Sequence, residues 1–240
     1  MGLTIKSDSK EFEALPEGQH IGVCYKIIDQ GSRNETYPRD AEPNSDNTKK
    51  RKTLNVTWEI PEQKMADGRP MSISKTYTAS LNENATLYKD LVTWRGKSFT
   101  KEELDGFDLD KMIGAPANLE IEHNANGNAR VKAIFKPDEF KKTDTINAGM
   151  IFDLDVYCEE FSGDSTEKTK AMCDIFDSLP EWQQTLLEES FELKGAKESG
   201  TSFETSKPTS SGLSDLASFH DNHDKNIEPV KEVTEDDIPF

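Results

Sequence analysis

Apolar and polar residues alternate along several short stretches of the chain. Ile21, Val23, Tyr25 and Ile27 alternate with Gly22, Cys24 and Lys26 until Ile28 breaks the pattern, which is the period of a strand. Leu54, Val56, Trp58 and Ile60 alternate with Asn55, Thr57 and Glu59, the cleanest strand pattern in the sequence. After a turn over 65–70, a third strand is expected over 71–78, with Met71, Ile73 and Tyr77 in one phase. The period then changes. Leu87, Leu91 and Trp94 recur at helical spacing, with Asn82 or Asn84 available as a cap and Gly96 as a stop. A short helical turn is expected over 107–114, ended by Gly114 and Pro116. Leu119, Ile121 and His123 make a fourth strand, and 124–128 a hairpin turn. Val131, Ala133 and Phe135 make a fifth strand, ended by Pro137.

Three strands, a helix and two more strands form the order of the oligonucleotide-binding (OB) fold. The expected class is therefore mainly β with α: a five-stranded barrel (β-β-β-α-β-β) followed by helices and a tail. Such barrels bind single strands on one face and in the loop between the first two strands. Here 29–51 reads as a long mobile loop, rich in Gly, Asn, Pro, Asp and Ser. Residues 151–161 add a strand or pack across the barrel. Two helices are expected over 166–177 and 179–194, the second opened by a capping box with proline at its first position, at Ser178 to Glu181. Trp182, Leu186 and Phe191 fall along one face, and these helices dock on the barrel or on a second subunit of a homo-oligomer. The expected organisation is a DNA-binding domain over 1–160, a helical extension over 161–194, a disordered linker over 195–234 and a docking tip over 235–240.

Charge refines this picture. The chain has 240 residues and a formal net charge of −17, which by itself disfavours a polyanionic ligand. Residues 1–150, however, hold 22 Lys and Arg against 24 Asp and Glu, whereas 151–200 hold 4 against 13 and 201–240 hold 3 against 9. The acid is concentrated in the last third, which leaves room for a basic groove in the first part. Hydrophobic residues make up 33% and charged residues 31%, so part of the chain is expected to lack a packed core. No apolar run approaches the ~18–20 residues of a membrane span, and 1–6 lack the apolar centre of a secretion signal. A cytoplasmic protein with no membrane partner is expected.

The sequence ends in Glu235, Asp236, Asp237, Ile238, Pro239 and Phe240. Phe240 suits an apolar pocket, its carboxylate an arginine, and Asp236 and Asp237 a basic rim; Pro239 narrows the unbound ensemble. This ending resembles the acidic tip of bacterial single-stranded DNA-binding proteins. The resemblance implies docking of helicases, nucleases, primase and polymerase accessory subunits on Asp236, Asp237, Ile238, Pro239 and Phe240. The body is similar to the OB-fold single-stranded DNA-binding proteins of tailed bacteriophages, through 87–96, Phe107-Asp108-Leu109 with Ile113-Gly114, and Leu179-Pro180-Glu181-Trp182. It implies a phage protein that coats single strands in replication, recombination and repair inside a bacterial host.

Non-specific strand binding needs cations along a groove and aromatic faces for stacking. The candidate phosphate contacts are Lys26, Lys49, Lys50, Arg51, Lys52, Lys75, Arg130 and Lys132. Tyr37 and Tyr77 are the candidate stacking residues, because Trp58 and Tyr25 share the phase of core positions and Trp94 and Phe107 pack around the helix. Cys24, Cys158 and Cys173 read as buried free thiols without zinc-ligand spacing. Asp108, Asp110, Glu102 and Glu103 read as solvated helix-flanking acids rather than a magnesium site. No catalytic residues, cofactor or metal are expected. Two further readings stay open: a decoy that sequesters partners of the host's strand-binding protein through its tip, and a metal-dependent nuclease, which the absent active-site pattern disfavours.

Overall fold

The computed structural model describes residues 14–36, 48–138, 145–163 and 165–201. Strands β1 (Gly18–Thr36), β2 (Thr48–Lys64) and β3 (Pro70–Thr78) come first, then helices α1 (Thr86–Arg95) and α2 (Lys101–Asp105) and a 3₁₀ turn over Leu109–Met112. Strands β4 (Pro116–His123), β5 (Ala129–Phe135) and β6 (Met150–Phe152) follow. Four helices complete the described chain: α3 (Leu154–Glu159), α4 (Glu167–Ser178), α5 (Glu181–Glu188) and α6 (Phe191–Thr201). The fold is mixed α/β with a mostly antiparallel sheet in the order β3-β2-β1-β4-β5, and β6 runs parallel to β1. The sheet is open: β3 and β5 approach each other, but no ladder joins them among the described residues.

Alternation in β2 decides the two faces. Leu54, Val56, Trp58 and Ile60 enter a core together with Cys24, Ile27, Ile73, Tyr77, Leu119 and Ile134. Helix α1 closes that core with Leu87, Leu91 and Trp94. The Trp94 indole lies 5.7 Å from Trp58 and donates to the Pro116 carbonyl at 2.7 Å. The helix starts at Thr86 rather than at Asn82 or Asn84. Its N-cap is Ala85 without a side-chain bond, because Asn82 spends its carboxamide oxygen on the Asn84 amide. The 124–128 hairpin forms as expected: Asn124 Oδ1 accepts from Asn126 and Asn128 N–H, and Gly127 takes a positive φ of 77°.

The expected long loop over 29–51 is replaced, where described, by strand. The ladder continues through Ser32–Lys52, Arg33–Arg51, Asn34–Lys50, Glu35–Lys49 and Thr36–Thr48, past a bulge between Asp29 and Ser32. Polar residues sustain this arm because helices pack against it. At Gly31, φ is 68° and a Cβ would run into Leu154 and Ser190, so only glycine permits both the bend and the close helical approach.

The late helices dock on their own sheet. Ile28, the residue that broke the alternation, leaves the first core and joins a second with Phe152, Leu154, Tyr157, Leu179, Leu187 and Leu193. The face expected on the second late helix is corrected. Trp182 is 63% and Phe191 42% exposed, while Gln183 and Leu187 are buried. The helix ends at Glu188 and a new one starts at Phe191, so the phase is not continuous. No side chain caps α5 at Pro180, which is its N-cap rather than its first helical residue; the capping box lies instead on α4, between Thr166 and Thr169.

Candidate nucleic-acid interface

Half of the candidate cations are engaged within the chain. Lys52 bridges Asp29 and Asp155, 2.8 Å from each. Burial alone would lower this ammonium, but hydrogen bonds and charge from the two carboxylates hold it above its ordinary range. Lys50 lies 3.8 Å from Glu192 and over the Phe191 ring. Lys75 pairs with Asp90 at 2.7 Å and Lys132 with Glu120 at 2.9 Å. Tyr77 does not point outward: it is 4% exposed, and its hydroxyl donates to Asp90 at 2.9 Å. It shares the inward phase of Met71 and Ile73, and burial raises its phenol well above the ordinary value. Tyr37 and the 235–240 segment lie outside the described residues.

Lys26, Lys49, Arg51 and Arg130 have no carboxylate partner within ion-pair distance among the described residues. Lys49 and Arg130 are exposed, opposite Glu35 and Glu122 across their ladders. Arg51 faces Arg33, whose guanidinium donates to the Gln30 and Leu186 carbonyls and to Thr53. Lys26 and Arg51 are half-buried; at Lys26 burial lowers the ammonium below the ordinary value with no opposing charge.

Lys26 stands on the sheet face that turns away from the first core. It is opposite Thr57, and Ile28 is opposite Asn55. The same face of β2 carries Thr53, Asn55, Thr57 and Glu59, all buried, paired with Thr78, Thr76, Ser74 and Ser72 of β3. Asn55 Nδ2 donates to Thr76 Oγ1 at 3.0 Å, and Thr57 Oγ1 to Asn55 Oδ1 at 3.2 Å. This row of hydroxyls and carboxamides is visible in the alternation of β2 and β3; a search for cations and aromatics alone passes over it.

Tyr25 joins this face, contrary to the core position its sequence phase implies. The register slips between Cys24 and Lys26, so Tyr25 is the extra residue of a bulge. It is half-buried, and its phenol is hydrogen-bonded to the Ser72 side chain. Glu59, opposite Val23 and Ser72, is 1% exposed. Its carboxylate accepts the Ile146 and Asn147 amides at 2.9 Å each, and also the Asn147 carboxamide. These bonds tie 145–147 across the face and leave Ile146 71% exposed.

On the opposite side of β1, a cavity of about 410 Å³ is lined by Ile27, Asp29, Lys52, Asp108, Asp110 and Asp153, among others. Asp29, Asp153 and Asp155 place carboxylate oxygens within 4.8 Å of one another. The Lys52 ammonium already serves two of them, and Asp153 caps α3. Asp108 caps the 3₁₀ turn, and Glu103 forms a capping box with Thr100. All three cysteines are free thiols; Cys24 is fully buried, whereas Cys158 and Cys173 are half-buried. Burial pushes the Cys158 thiol up to about 11. No helix among the described residues is long and apolar enough to cross a membrane. Compared with protein-family models, curated proteins and solved structures, the chain matches none.

Proposed function

We propose that this chain is a non-catalytic single-stranded DNA-binding protein. In this reading the strand crosses the outer face of β1, β2 and β3 and recruits partners through Asp236–Phe240. One observation carries the reading: Lys26 is a half-buried cation without a counter-ion among the described residues, set among hydroxyl and carboxamide groups. Burying a charge unpaired is costly, and a phosphate would supply the missing partner. The strand order supports the reading, because β3-β2-β1-β4-β5 is the order of an OB barrel. Closure between β3 and β5 is part of the proposal, as is action in the cytoplasm of a bacterial host on phage DNA.

The test is fluorescence anisotropy of a labelled strand of about 30 nucleotides, titrated at two salt concentrations and competed with duplex. Tight binding that weakens steeply with salt and prefers the single strand is expected. Phe240→Ala is expected to leave that affinity intact and to abolish binding to a purified nuclease or helicase that takes acidic, phenylalanine-ended tips. The internal pairing of Lys50, Lys52, Lys75 and Lys132 favours a second reading, a decoy that binds such partners and no DNA. Absence of strand binding at low salt, together with partner binding through Phe240, would select it.

A further inference from the structure

Single exposed apolar side chains are common on protein surfaces, and Ile146 would be one of them but for its fixation. The backbone that presents it is bound at two successive amides by Glu59, a carboxylate withdrawn from water. A preformed, rigid apolar contact loses less entropy on binding than a mobile one. On the face that carries Glu59 stand Tyr25, turned there by the bulge, the hydroxyls of Ser72 and Ser74, and Lys26, unpaired among the described residues. Among the described residues, that face offers Ile146 polar neighbours rather than the contiguous apolar surface that the core of a protein–protein interface needs. An unpaired nucleotide combines an apolar ring face, polar edges and a phosphate.

We propose that 145–147 is a base-contact strap: Ile146 and Tyr25 hold an unpaired nucleobase over the outer sheet face while its phosphate meets Lys26. The proposal rests on the single-strand reading and assigns a binding role to a segment outside the five main strands. Glu59 is then a positioning residue. Its carboxylate is taken up by three N–H groups of the strap.

The experiment compares two labelled probes, an oligothymidylate and an abasic strand of equal length, on the full chain and its variants. Ile146→Ala is expected to weaken oligothymidylate binding about fivefold or more and leave abasic binding unchanged. Ile146→Trp, which enlarges the contact, is expected to tighten binding to the first probe alone. Thermal melts confirm that both variants keep the wild-type fold, as the exposure of Ile146 leads one to expect. Equal loss on both probes, or no change on either, would overturn the strap. Failure of the wild-type chain to bind either probe would instead remove the single-strand reading, and the strap with it.

Discussion

Lys26 is a stability cost that a polyanion can relieve. Burial lowers its folded pKa below 10.5, so between those two values the unfolded chain binds more protons, and stability rises with pH there. At neutral pH the charged group therefore opposes folding. Lys26→Met is expected to stabilise the chain, read as a higher urea midpoint. It should also weaken strand binding and flatten the logarithmic salt slope by about one. A plain surface lysine would change neither. Arg95 is the other conspicuous cation. Its side chain is fully buried, bonded to Glu103 and stacked 4.4 Å from the Phe99 centroid, with Nε and Nη1 unpaired. Arg95→Ala should cost about 2–4 kcal/mol in denaturant melts, through lost packing and an abandoned Glu103. Arg95→Met, which refills the aromatic slot without orphaned donors, should cost less.

At the level of elements, the extended β1–β2 arm and helix α6 depend on each other. Glu192 accepts the Ser32 amide at 2.7 Å beside Gly31, and Lys50 lies nearby. Burial raises this carboxyl, but the Ser32 hydrogen bonds and the Lys50 charge outweigh it and hold the group below its ordinary 4.5. A depressed carboxyl stabilises fully above the unfolded value and loses that contribution as pH falls below it. The Ser32 amide is thus expected to lose hydrogen-exchange protection as pH drops below about 4.5. Glu192→Gln should flatten that profile. An unchanged profile in the variant would show that the arm is held by packing at Gly31 alone.

For the whole molecule, charge is segregated. Residues 151–200 hold 13 Asp and Glu against 4 Lys and Arg, and most of that acid lies on helices α3 to α6, which pack against β1 through the second core. That layer neutralises Lys50 and Lys52; in the proposed reading it would repel the strand, which is left Lys26, the exposed Lys49 and the half-buried Arg51. Residues 201–240 add 9 acids against 3 bases and would compete with DNA for the same cations. Deleting 202–240 is expected to tighten strand binding at low salt, with the gain shrinking as salt rises. Equal affinity with and without the segment at low salt would remove this autoinhibition.

How much of this was legible in the chain follows from range. Strands β2 to β4, the Asn124 hairpin and the apolar stripe of α1 were readable because each depends on neighbours within a turn or a pleat, where apolar positions in phase must leave water together; β5 lies where expected, but past a register shift Ile134 rather than Phe135 turns inward. The same alternation placed Trp58 in the core. The candidate site was less legible. Tyr25 changes face because of a bulge that exists only against β2. The arm over 29–36 and 48–53 became strand because α6, 160 residues from Ser32, offers it a carboxylate. Lys52 lost its availability to Asp155, 103 residues away, and Ile146 is held in place by Glu59, 87 residues earlier. The sequence by itself determined which residues turn inward along β2, β4 and α1. Only the tertiary structure decided which cations remain unpaired and which side chains meet on the outer face, because a charge is compensated by what is near in space and not by what is near in the chain.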